Sequence, residues 1–411
     1  MPTPPSLADD ALPRARPAIQ EGRLVFIDAL RGLAALAVAV YHIERYGPLA
    51  EPASALLPAP IENLIESGWM GVQAFFVISG FVIAYSLRRA WVTPGYLGNY
   101  ALRRSLRLDP PYWATIGLVL VLHAWGPRLW HIPSPITESP LDPGPTGGQI
   151  LSHAFYLQNA LGYGNLSVGL WTLCIEVQFY LLYTALLGLV QACCGASSWR
   201  NLGGGAGLCA CFFPLALVSL AIYDKEHLFD FAGSQWLAPF KSDACVLRYF
   251  WMFFLGMLIH WTLEGRIPAW AFWSYATLMA ARYAWFSTEE SDLPSAAEAT
   301  RHWTIEIAVA WMAGVAIYVI GSHGMLGSIG RHRWLQFLGR ISYSLYLIHY
   351  PVSHVIVNWG YRWTGDHPGF ALMWTVLAVL AAIAAAYLLY VGVERPTLRL
   401  ASRWRPKLSG P

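Results

Sequence analysis

The sequence predicts an all-α polytopic membrane protein: a bundle of about ten transmembrane helices with both termini cytoplasmic. Three observations predict it. Hydrophobic residues make up 56% of the 411 and charged residues only 12%, about half the charged share of a soluble domain. Apolar runs recur at the length of about 20 residues that crosses a bilayer. Arginines gather in alternate loops, as the positive-inside rule requires.

The predicted spans are residues 24–45, 69–88, 110–126, 168–190, 206–223, 246–262, 268–286, 303–321, 337–358 and 369–392. An even number returns both termini to one side. Arg14, Arg16 and Arg23 flank the first span, and Arg88, Arg89, Arg103, Arg104 and Arg107 lie between the second and third. Arg331 and Arg333 precede the ninth, and Arg395, Arg399, Arg403, Arg405 and Lys407 follow the tenth. All fall on one face, which is therefore cytoplasmic. Loops on the other face are acidic, with Glu51, Glu62 and Glu66, then Glu289, Glu290, Asp292 and Glu298.

Residues 1–22 are Pro-rich and polar and predict a disordered cytoplasmic tail; 23–400 form the membrane domain, and 401–411 a basic cytoplasmic tail. The loop at 127–167, rich in Pro and Gly, is external and serves either an acceptor site or a connection. A net charge of +3 is too small to argue for a nucleic-acid partner. None of the six cysteines has zinc-like spacing with histidine, and nothing in the sequence requires a metal.

The first span, FIDALRGLAALAVAVYHI, carries Asp28, Arg31 and His42 in an apolar helix. Ionisable residues in a span are functional candidates by default. Arg31 and His42 are 11 positions apart, almost three turns, so they share a face about 16 Å apart along the axis. Asp28 lies one turn below Arg31 and is placed to pair with it. This face suits a long substrate with an anionic end and a reactive end.

In GVQAFFVISGFVIAYSL, Gly71, Ser79 and Gly80 permit close helix approach, and the stretch reads as packing, Gln73 aside. In RRSLRLDPPYW, Arg104 and Arg107 are three apart and point the same way, a forked pair suited to phosphate or simply to membrane anchoring. Pro110 and Pro111 are expected to restart the chain into the third span. Glu176 lies in the apolar run LWTLCIEVQFYLLY with Thr172, Tyr180 and Tyr183 on its face. It either orients His42, binds an acceptor hydroxyl, or forms a structural ion pair. In GRISYSLYLIHYPV, Ser342, Tyr346 and His349 follow one face, and Pro351 is expected to disturb the helix just beyond.

Together these stretches, with FFVISGF and the terminal VGVERPTLR, resemble in order and spacing the membrane acyltransferase-3 family. That family comprises bacterial integral-membrane O-acetyltransferases modifying surface glycans and some antibiotics. The resemblance covers about residues 23–400. It implies an acyl-CoA donor, usually acetyl-CoA, taken from the cytoplasm, and a bacterial inner-membrane location. The family's Arg–ten residues–His pattern falls on Arg31 and His42, and its Arg-x-x-Arg on Arg104 and Arg107. Cys174 and Val177 stand where the family carries Ser and a second Glu; Glu176 remains.

The expected mechanism has Arg104 and Arg107, with Arg31, holding the coenzyme phosphates. His42 is either a general base or an acyl carrier. Glu176 polarises the base or the acceptor. Asp28, Tyr180, Ser342, Tyr346 and His349 line the substrate path. The expected partners are acyl-CoA, a glycan or lipid-linked sugar acceptor, and membrane lipid. Other readings are an acyltransferase acting on a small-molecule hydroxyl such as a macrolide sugar, or a non-enzymatic transporter. A transporter predicts internal repeats, and none is evident.

Overall fold

Helices pack here through glycines and small residues, because lipid gives no hydrophobic drive for one apolar helix to bind another. The computed structural model describes residues 23–130, 144–202, 205–224, 245–287 and 294–403. The tail expected at 1–22, residues 131–143 of the external loop, the acidic residues 289, 290 and 292, and positions 404–411 lie outside the described residues.

In chain order the elements are α1 (Val25–Arg45), the short α2 (Ala50–Ser54) and α3 (Ala59–Glu66), α4 (Gly71–Leu87), α5 (Pro94–Trp125) and α6 (Gly147–Ala154). Then come α7 (Leu170–Leu202), α8 (Gly205–Asp224), α9 (Val246–Leu263), α10 (Ala269–Ser287) and α11 (Pro294–Ser322). The chain closes with α12 (Arg333–Thr364), α13 (Pro368–Leu389) and α14 (Arg395–Arg403). Every predicted span falls on a helix. The protein is an all-α, multi-pass membrane protein.

The expectation of about ten spans is corrected by one criterion. Among the described residues, six helical stretches are long and apolar enough to cross a membrane. The helices that miss it are α5, α8, α10 and α12. Two of these, α5 and α12, are diluted by polar side chains that line the site below.

The prolines also behave differently from expectation. Pro110 and Pro111 lie inside α5, and Pro351 lies inside α12. A transmembrane helix tolerates proline when neighbours satisfy the freed backbone groups. Next to the Pro110–Pro111 pair, the Tyr343 hydroxyl of α12 donates to the Leu108 carbonyl at 2.7 Å, and Thr115 donates within α5 to the Pro111 carbonyl at 3.0 Å. Helix α7 is instead interrupted at Gly195, whose φ of 73° suits glycine.

Side-chain pairings set the helix directions. His42 meets His349, and Gly32 abuts Gly339, so α1 and α12 run parallel. Gly68 and Gly71 lie against Ala37 and Ala34, so α4 runs back along α1. Phe76 meets Tyr249 and Tyr85 meets His260, making α4 and α9 parallel. Ser79 bonds Glu176, and the Val92 amide bonds Gln191, so α7 follows the same direction. The bundle thus has a near end, where α1 begins, and a far end, where α1 stops and α4, α7 and α9 begin.

Two cores result. The larger surrounds α9, whose Phe250, Trp251, Phe253 and Phe254 are fully buried among α4, α7 and α8. The close approach of α4 to α9 places Gly80 against the Phe253 carbonyl, as its lack of a side chain allows. The smaller joins α1, α12 and α13 through Ala35, Ala39, Leu345 and Ala386. A polar cleft lies at the seam between them.

Candidate active site

A narrow cleft opens between α1, α4, α5, α7 and α12, with about 60 Å³ of free space. Arg31, Arg104, Arg107, Glu176, Tyr180, Ser342 and Tyr346 all line it. The cleft therefore gathers seven of the residues singled out in the sequence, from four helices.

Its near end is cationic. Arg104 Nε donates to the Tyr100 hydroxyl at 3.1 Å, and its guanidinium lies 4.2 Å from the centre of the Tyr180 ring. Arg107 lies in the electrostatic field of Arg104, Arg31 and Glu394. Glu394 is buried in a π-helical turn after α13 and accepts from the Ser344 hydroxyl at 2.6 Å. Glu176 accepts from Ser79 at 3.1 Å and from the Tyr180 hydroxyl. Three guanidiniums thus face two carboxylates, and the excess positive charge favours an anion.

Asp28 does not pair with Arg31. Its carboxylate accepts from Arg23 at 2.8 Å, outside the cleft, because Arg31 turns inward to the cleft that Arg107 lines. Tyr183 is buried against Phe179 and Phe212 in the larger core and does not reach the cleft. Ser79, read as packing, instead holds Glu176, while Gly71 and Gly80 do pack as expected.

At the far end of the cleft the Tyr346 hydroxyl lies 2.7 Å from that of Thr172, and Phe75 sits edge-on to the Tyr346 ring. Beyond Tyr346 lies His349, 6.1 Å between ring centres, and then His42. His42 Nδ1 and His349 Nε2 are 2.8 Å apart, with both residues buried. The partner of His42 is therefore His349, and no contact joins His42 to Glu176. The eleven-residue spacing put His42 towards the Tyr346 side of the bundle, and α12 supplied the neighbour.

The pairing fixes the tautomers. His349 Nδ1 lies 3.0 Å from the Leu345 carbonyl, which only accepts, so Nδ1 carries the hydrogen. In neutral His349, Nε2 is then an acceptor. It takes the hydrogen from His42 Nδ1, which leaves the lone pair of His42 on Nε2. A second group that fixes the tautomer of a working imidazole is a recurrent device of catalytic sites.

Glu394 and Tyr343 were missed in the sequence. A carboxylate next to Arg395 and Pro396 reads as the polar end of a helix, and only the return of α13 to the cleft shows its place. Among the described residues, no three His, Cys, Asp or Glu side chains converge as a metal site would require.

The chain matches the acyltransferase domain family over residues 24–391. It is 26% identical over 409 residues to the acyltransferase MdmB of Streptomyces mycarofaciens, covering 95% of each chain. It is 24% identical to nodulation protein 10 of Rhizobium leguminosarum bv. viciae, covering 91% of this chain and 93% of that one. Similarity to the O-acetyltransferase OatA of Staphylococcus aureus, 23% identity, covers 90% of this chain but 56% of that protein. No solved structure matches the chain.

Proposed function

Starting from the chain's membership of the acyltransferase family, shown by the match over residues 24–391, we propose that it is an acyl-CoA-dependent O-acyltransferase acting on a glycan hydroxyl. The acyl group in this reading is acetyl, and the site is bacterial inner membrane. The observation that carries the proposal is the continuity of the cleft: three arginines at one end, and a tautomer-fixed histidine pair behind the other. Relatives whose names specify acyltransfer, and peptidoglycan O-acetylation in the case of OatA from Listeria monocytogenes, support this class of reaction.

In this reading all ten long helices cross the bilayer, and the near end faces the cytoplasm. Arg88, Arg104, Arg107 and Arg331 all belong to that end by their helix positions, in keeping with the positive-inside rule. Both termini are then cytoplasmic, and the donor enters where it is made. Arg31, Arg104 and Arg107 hold the phosphates by charge-assisted hydrogen bonds. The thin acyl-bearing arm of the donor extends along the cleft towards Tyr346. With only about 60 Å³ of free space, the walls must part to admit it.

His42 Nε2 then takes the proton of the acceptor hydroxyl. The oxygen attacks the acyl carbon, the carbon–sulfur bond breaks, and the thiolate leaves with the electron pair. The imidazolium returns its proton to that sulfur, so His42 ends neutral. His349 keeps the lone pair on the correct nitrogen and shares the transient positive charge. Glu176, held by Ser79 and Tyr180, positions Arg104 and the cleft wall around the donor.

The test is transfer from labelled acetyl-CoA in membranes carrying wild type, His42→Ala, or Arg104→Ala with Arg107→Ala. Label should reach glycan or lipid-linked sugar only when His42 is present. The arginine variant should fail chiefly through a raised KM for the donor. Wild-type transfer by well-folded His42→Ala would sink the mechanism.

A further inference from the structure

The far end of the bundle holds a second cavity, of about 670 Å³, that the donor cleft does not use. The geometry points to this cavity as the binding site for the acceptor, a neutral saccharide stacked on Trp171, Tyr249 and Trp303. The inference rests on the reading that the acceptor is a glycan.

Four features carry it. The first is size: about 670 Å³ lies within the roughly 300–1,000 Å³ range of small-molecule sites, and the donor cleft is about a tenth as roomy. The second is chemistry. Trp171, Tyr249 and Trp303 line the cavity together with Arg248, Glu306 and Asn165. Aromatic faces pack against the C–H faces of pyranose rings, while an amide, a guanidinium and a carboxylate bond ring hydroxyls. Arg248 and Glu306, one basic and one acidic side chain, give the lining no cluster of either charge, so a neutral polyol fits better than a nucleotide diphosphate or an amine.

The third feature is position. Trp171 is the immediate neighbour of Thr172, whose hydroxyl meets Tyr346 at the end of the donor cleft. Tyr249 packs on Phe76, 5.2 Å between ring centres, and Phe76 lines that cleft. A single layer of side chains thus separates the two spaces. A hydroxyl reaching past that layer meets the acyl end of the donor.

The fourth is preorganisation. The stretch between α6 and α7 forms part of the wall, and it is pinned from α6. Gln149 donates to the Gly164 carbonyl at 2.8 Å, and the Leu166 amide donates to His153 Nε2 at 3.0 Å. Behind the opposite wall, buried Gln73 bonds Glu306. A wall held this way loses little freedom when a ligand binds.

The experiment uses the full chain in lipid nanodiscs, free of acyl donor. Chitotetraose, cellotetraose and maltotetraose are titrated separately, with intrinsic tryptophan fluorescence and calorimetry as readouts; coenzyme A is titrated in parallel. At least one saccharide is expected to bind. Trp303→Ala should weaken it tenfold or more, Trp303→Phe should weaken it less, and neither should change coenzyme A affinity, which also reports an intact fold. Failure of all three saccharides to bind, or equal binding by wild type and Trp303→Ala, overturns the inference. Saccharide binding that survives in a protein with no acyl transfer would keep the site and reject the catalytic reading, so the two failures are distinguishable.

Discussion

The donor cleft and the far-end cavity share a wall yet are built on different plans. The cleft is narrow, with about 60 Å³ of free space, and is ringed by Arg31, Arg104 and Arg107. The cavity has about 670 Å³ and is faced by tryptophan and tyrosine with one basic and one acidic side chain. A narrow cationic slit selects by charge and thickness; a broad aromatic cavity selects by shape and hydroxyl pattern. The histidine pair belongs to neither lining. It sits behind Tyr346, and in the proposed reading acts where donor and acceptor meet. In the proposed reading recognition and chemistry are separated along this bundle, and each can be broken alone.

The largest effect is expected at the shared chemical step. His42→Ala should lower transfer by about 10²–10⁴-fold, the usual worth of a general base, while leaving donor binding intact in a direct assay with coenzyme A. Equal loss of binding would place His42 in recognition instead.

Next comes the cationic side alone. Arg104→Ala should raise the donor KM by roughly 10- to 100-fold, since one hydrogen bond to a charged group contributes about 1.5–3 kcal/mol when made. A change confined to kcat would remove the proposed contrast between grip and chemistry.

A smaller effect is expected where the tautomer is fixed. His349→Ala should reduce kcat by about tenfold or more, and His349→Gln should restore part of it, because a glutamine oxygen can accept from His42 Nδ1. Identical kcat in the two variants would indicate a packing role for His349.

The loop that walls the cavity carries the pH test. Burial pushes the His153 imidazole below its usual pKa. The unfolded group binds its proton more readily, so the staple is present near neutral pH and is lost as pH falls below the ordinary value of about 6.5. Limited proteolysis between residues 157 and 168 should accelerate from pH 7.5 to pH 5.5 in wild type. His153→Gln, neutral at both values, should show no such difference.

The smallest effect belongs to Arg23→Ala. Its bond to Asp28 is half exposed on the arginine side, at 52%, and exposed ion pairs contribute about 0–1 kcal/mol. The melting temperature should move little, and transfer should not change. A large loss would return Asp28 to the list of substrate-contacting groups.

Composition and the spacing of ionisable groups in single helices determined a good deal. The all-α membrane fold, the helix carrying each motif, the Arg31–His42 face and the Arg104–Arg107 pair all follow from periodicities of one helix, which are local. The departures arise where two helices meet. Glu176 takes Ser79, 97 positions away, rather than His42, and His42 takes His349, 307 positions away. Glu394 reaches Ser344 and the field of Arg107 and Arg31 only because α13 returns to them, and the Leu108 carbonyl beside Pro110 meets its Tyr343 donor only because α12 packs on α5. A helical period fixes which way a side chain points from its own axis. Which neighbour stands there is set by the packing of glycines and small residues between helices, and that depends on the whole bundle.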